Sequence, residues 1–156
     1  MKAADRGHSV AVTQLRTSPP PPDAELLTAW ALDTSAQLRE LRAGLIKALN
    51  EHTQLPSDQL DDIPDRMVLV ATELATNAIR HGLPPTTVRL LRTATEFVLD
   101  VSDHDLTSFP ELAETRPINA GGRGLQLAQA FAVEVGWYAS EHTKHIWAVF
   151  PVEPER

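Results

Sequence analysis

The 156-residue chain contains no cysteine, which excludes zinc fingers, thiol catalysis, iron–sulfur clusters and disulfide scaffolds. It has no basic run: 14 Lys and Arg stand against 21 Asp and Glu, a net charge of −7. An acidic chain of this kind is a poor binder of nucleic acid or of an anionic membrane. No apolar run approaches the ~20 residues that span a bilayer. The opening residues, Met1-Lys2-Ala3-Ala4-Asp5-Arg6-Gly7-His8, lack the apolar stretch of a signal peptide. A soluble cytoplasmic protein is the expectation. The length suits one domain, and a chain of this size buries roughly 70% of its unfolded surface, so it needs no covalent or metal staple.

The charge is unevenly placed. Residues 1–22 carry Lys2, Arg6 and Arg16 against Asp5, a net +2, which leaves −9 for the rest. Four of the twelve prolines are consecutive, Pro19 to Pro22. Residues 1–22 read as a Pro-rich tail, either a tether ending in a stiff polyproline spacer or a disordered segment without function. The globular domain is expected over 23–153.

Hydrophobic periodicity orders that domain. Leu26 to Leu32 predicts a strand with Thr28, Trp30 and Leu32 on one face, followed by N-cap candidates Asp33, Thr34 and Ser35. Leu38, Leu41, Leu45 and Leu49 form a helical stripe. A second helix starts near Pro64, which suits a first turn. It turns Met67, Ala71, Leu74 and Ala78 inward and closes at Gly82. After Pro84-Pro85 come two strands, Thr87 to Arg92 and Glu96 to Ser102. In the second, Phe97, Leu99 and Val101 share a face that Asp103 continues. Residues 104–120 form a long polar loop. A third helix buries Leu125, Ala128 and Phe131, and strands over Val133 to Ala139 and His145 to Phe150 end the domain. The order predicts an α+β two-layer sandwich, with a mixed, mostly antiparallel sheet and helices on one face.

Three places could carry chemistry. Gly121, Gly122 and Gly124 stand between the long loop and the third helix, where glycine lets backbone approach a phosphate and the helix start offers free N–H groups. Taken alone, that cluster reads equally as a hinge. Glu73, Asn77 and His81 follow one another at four-residue spacing along one face of the second helix. Asn77 could give Mg²⁺ one oxygen without adding charge beside a polyphosphate, and Glu73 could deprotonate a hydroxyl. The bland reading is a solvated polar flank. Asp103, on a buried face, needs a partner, for which an adenine amine, a helix cap and an arginine are the candidates. His142 and His145, three apart on a strand, point to opposite faces and do not make a metal pair. No Ser/His/Asp set stands out.

In order, these pieces resemble the histidine-kinase-type (Bergerat, GHKL) ATPase superfamily, and among its members the anti-sigma-factor serine/threonine kinases and their ATP-binding regulatory relatives. Glu73-Leu74-Ala75-Thr76-Asn77-Ala78-Ile79-Arg80-His81-Gly82 is similar to the N box. Val101-Ser102-Asp103 is similar to the first ATP box, and Gly121-Gly122-Arg123-Gly124-Leu125 followed by Val135-Gly136-Trp137 to the second glycine box and its strand. Ile146 to Pro151 is similar to the closing strand. The likeness covers roughly 24–152.

The resemblance implies a Bergerat ATP-binding fold that takes ATP and Mg²⁺. Glu73 would be the catalytic base and Asn77 the Mg²⁺ ligand. Asp103 would read adenine over guanine, which presents a carbonyl where adenine has an amine. His81, Gly122, Arg123, Gly124 and Leu125 would complete the nucleotide-binding set, and 104–120 would form the ATP lid. The function implied is a protein kinase that phosphorylates an anti-anti-sigma (STAS-type) partner and controls a sigma factor, working as a homodimer without direct nucleic-acid or membrane contact. A non-catalytic, ATP-gated protein-binding switch is the alternative. Asp105 stands where the first ATP box often has glycine.

Overall fold

The computed structural model describes residues 16–52, 62–107 and 123–152. It is a two-layer α+β sandwich. The elements run β1 (Arg16–Thr17), β2 (Glu25–Leu32), α1 (Leu38–Glu51), α2 (Asp62–His81), β3 (Thr86–Arg92), β4 (Glu96–Asp103), α3 (Arg123–Phe131), β5 (Glu134–Ala139) and β6 (Lys144–Pro151). The sheet order is β1-β5-β6-β4-β3-β2. Every pairing is antiparallel except β1 with β5.

Alternation explains the layering. On β4, Phe97, Leu99 and Val101 lie opposite Phe150, Ala148 and Ile146 of β6. Past a bulge between Leu26 and Thr28, Thr28, Trp30 and Leu32 oppose Leu90, Val88 and Thr86 of β3. These positions face the helices. The stripes Leu41, Leu45 and Leu49 of α1 and Met67, Ala71, Leu74 and Ala78 of α2 meet them in one buried core, joined by Leu125 and Ala128 of α3. Truncating a leucine here to alanine would cost ~2–5 kcal/mol.

The helix starts follow local chemistry. Gln37 Oε1 accepts the N–H groups of Asp33 (2.7 Å) and Thr34 (3.1 Å), which satisfies donors ahead of the short 3₁₀ turn that leads into α1. At the other end of α1, Arg92 donates to the His52 carbonyl at 2.7 Å and ties the helix exit to β3.

The opposite face of the sheet is covered too, by a segment that composition assigns to the tail. Residues 16 and 17 pair with Gly136 and Trp137 of β5, and Ser18 N–H donates to the Trp137 carbonyl at 2.9 Å. The chain then passes from the β1 edge to the β2 edge through Ser18–Ala24. Pro19 to Pro21 lead into a turn over Pro22 and Asp23, in which Ala24 N–H meets the Pro21 carbonyl. Beneath this strap, Val98, Trp147 and Val149 form a second buried cluster with Ala24, Leu91 and Tyr138 around it. Trp147 Nε1–H donates to the Ser18 carbonyl at 2.8 Å. The indole fits because its β5 neighbour is Gly136, where a Cβ would stand 2.4 Å from the ring. Residues 1–15 lie outside the described residues.

Candidate functional site

The site begins at the C-terminal half of α2. The core stripe fixes the helix rotation, so Glu73 and Asn77 fall on its half-buried flank and His81 on its exposed end. Thr72 and Thr76 hydroxyls donate back to the Val68 and Thr72 carbonyls, both at 2.7 Å, which ties their side chains to the helix itself.

The end of α2 is locked to the end of β4. Gly82 N–H closes the helix on the Ala78 carbonyl at 2.8 Å, and His104 N–H donates to the Leu83 carbonyl at 3.0 Å. The Asp103 carboxylate lies directly against Gly82, where a Cβ would be 2.5 Å from Asp103 Cγ. Asp103 is 6% exposed. Its Oδ1 accepts Asp105 N–H at 2.7 Å, and its Oδ2 stands 3.8 Å from Lys144 Nζ. The partner that a buried carboxylate requires is thus a lysine from β6 together with a main-chain donor. Asp105 repeats the motif one step on: its Oδ1 accepts the N–H (2.9 Å) and the hydroxyl (2.6 Å) of Thr107.

α3 packs along α2, with the Arg66 guanidinium 5.1 Å from the centre of the Phe131 ring. Its first turn holds Arg123, Gly124 and Leu125. The Leu125 side chain is buried in the core, so toward a ligand that residue could offer only main chain. Gly121, Gly122 and residues 108–120 of the expected lid lie outside the described residues.

The other sheet face carries a polar network that the sequence reading missed. His145 Nδ1 stands 2.8 Å from Asp100 Oδ1, and His145 Nε2 stands 2.8 Å from Thr143 Oγ1, itself 2.7 Å from Ser140 Oγ. The Tyr138 hydroxyl donates to Asp100 Oδ2 at 3.4 Å, its ring stacks on His145 at 4.4 Å, and Arg89 lies 4.0 Å from the same carboxylate. A hydroxyl–imidazole–carboxylate line therefore exists, contrary to the sequence reading. Its members lie up to 45 residues apart (Asp100 to His145), and only the β4–β6 register joins them. Burial and the Asp100 charge push the Tyr138 phenol up to about 12. His142 is in the exposed turn beside Glu141, away from His145.

Residues 31–150 match the histidine kinase-like ATPase domain family. The chain belongs to that family. The match runs from the end of β2 to β6 and so contains every candidate site residue, while β1 and the polyproline strap precede it. No curated protein matches the chain.

The donor set of this ATPase domain suits a nucleotide. Asp103 provides a fixed acceptor on a wall that Gly82 keeps clear of side chain. Glu73 and Asn77 flank the same helix end, and the first turn of α3 provides main-chain N–H groups of the kind that hold phosphates. Among the described residues no group of three His, Asp or Glu is placed to hold a metal by itself. Asn77 could offer one oxygen to a Mg²⁺ held mainly by the phosphates it accompanies. No helix among the described residues is long and apolar enough to cross a membrane.

Proposed function

We propose that this domain binds Mg-ATP and works in the cytoplasm as a serine/threonine protein kinase of the anti-sigma type. It phosphorylates a STAS-type anti-anti-sigma partner, and in its other state it holds a sigma factor; the working unit is a homodimer. The observation that carries the kinase reading is Glu73 one turn before Asn77 on the half-buried flank of α2. A carboxylate one turn from the metal ligand can serve the reacting phosphate without touching the base.

In this reading Glu73 takes the proton of a partner serine or threonine hydroxyl. The hydroxyl oxygen bonds to the γ-phosphorus, the bond to the β–γ bridging oxygen breaks, and ADP leaves with that oxygen. Bound Mg²⁺ supplies charge neutralisation at the phosphates. Asn77 orients it, and Asp103 fixes the base so that the γ-phosphate meets Glu73.

Labelled ATP, pure protein and candidate STAS proteins test the reading, with Glu73→Gln as control. That variant should bind ATP normally and transfer phosphate at least ~100-fold more slowly. Transfer at the wild-type rate would remove Glu73 as the base.

A second reading, an ATP-gated switch without phosphotransfer, is favoured by Asp105. Its carboxylate holds Thr107 in a side-chain turn at the position where a glycine would leave the chain free to move. Partner capture or release on ATP addition, without labelled product, would select it.

A further inference from the structure

Asp103 has a cross-strand neighbour that the nucleotide-binding boxes do not include. The β4–β6 register places Lys144 directly opposite it, at the sheet end where α2 closes on Gly82. Both residues are on the helix-covered face, in phase with Val101 and Ile146. The lysine side chain is 9% exposed and the aspartate 8%, with 3.8 Å between Nζ and Oδ2. Lysine is among the residues least often buried, and burying its charge is costly unless it is paired. At this end of the sheet an anionic acceptor and a cationic donor thus stand side by side, the acceptor against Gly82.

That pair matches one purine edge and not the other. Adenine offers its exocyclic amine, a donor, next to ring N1, an acceptor. With the amine on a carboxylate, N1 faces whatever stands beside that carboxylate. Guanine in the same pose would turn its O6 carbonyl to the carboxylate and its N1–H to the cation, setting like against like twice. A carboxylate offers about four acceptor positions, so Asp103 can accept from an adenine amine besides Asp105 N–H and Lys144.

Resting on the nucleotide-binding reading above, we propose that Lys144 is a second base-reading residue. It donates to adenine N1 while Asp103 accepts from the amine, so that the Asp103–Lys144 pair, and not Asp103 alone, sets the preference for adenine.

The probe is 1-deaza-ATP, in which a C–H replaces N1. Its binding to the full chain is compared with that of ATP and GTP by calorimetry. Wild type should bind 1-deaza-ATP about tenfold or more weakly than ATP, the range for a lost hydrogen bond to a charged group. Lys144→Met, checked for folding by circular dichroism, should bind the two equally and discriminate less against GTP. Lys144→Arg keeps a donor and should keep most of the discrimination. Equal binding of ATP and 1-deaza-ATP by wild type overturns the proposal without any variant, as does full discrimination by Lys144→Met. If wild type binds ATP but ignores N1, only the role of Lys144 falls. If it binds no nucleotide, the ATP-binding reading falls as well.

Discussion

The Asp103 carboxylate rests on Gly82 so closely that any side chain there would displace it: a Cβ would stand 2.5 Å from Cγ and 2.7 Å from Oδ2. The last residue of the N-box segment and the aspartate proposed to read the base are therefore one contact. Gly82→Ala should push Asp103 out of register and cost ~1–3 kcal/mol through overpacking. ATP affinity should fall more than that stability loss explains. Urea unfolding and calorimetric ATP binding on the same preparation check both parts. Unchanged ATP affinity in a destabilised variant would separate Gly82 from the site.

Mg-ATP at about 100 times its Kd should stabilise the domain by ~2.7 kcal/mol and raise Tm by roughly 5–10 °C. Asn77→Ala should lose the magnesium-dependent part of that rise. Asn77 is half-buried on a helix flank outside the core stripe, so the melting temperature without nucleotide should drop little. Melts with ATP plus Mg²⁺ and with ATP plus EDTA measure the difference. A wild-type response from the variant would remove Asn77 as the Mg²⁺ ligand.

The strap should contribute measurably to stability. Removing residues 1–22 takes away the Ser18 carbonyl and uncovers Trp147, which is 1% exposed in the intact chain. Re-exposing a large apolar side chain costs ~1.5–3 kcal/mol, and the lost hydrogen bond ~0.5–1.5 kcal/mol. The urea midpoint should fall accordingly, with a red shift of tryptophan emission in the folded state. A truncated protein with unchanged midpoint and emission would show that the strap does not seal this face.

Tyr138 makes stability fall at high pH. Its folded-state value of about 12 lies above the ordinary 10.0, so the folded chain favours the neutral phenol. The contribution is fully present below pH 10 and is lost as pH rises from 10 through 12. Tyr138→Phe should be less steeply destabilised across that window. Because Tyr138 is the single tyrosine, the phenolate absorbance band titrates this group alone and reads its value directly. A titration midpoint near 10 in the folded protein would contradict the burial and Asp100 contacts described above.

The sequence by itself determined the layered fold and which residues stand at the candidate site. Helical stripes at 38–49 and 67–78 and alternation over 97–101 state which faces are buried, because period and burial are local properties of the chain. Glu73 and Asn77 were legible for the same reason, since four-residue spacing on a helix is adjacency.

Only the tertiary structure decided what crosses the sheet. Lys144 reaches Asp103, and His145 and Thr143 join Asp100, through the β4–β6 register. Register depends on pairing between segments about forty residues apart, which no local period encodes. The polyproline run reads as a tail by composition. It becomes a strap because Trp147, 125 residues or more along the chain from it, needs an acceptor for its buried N–H and cover for its ring, and the Ser18 carbonyl and the segment it begins supply both.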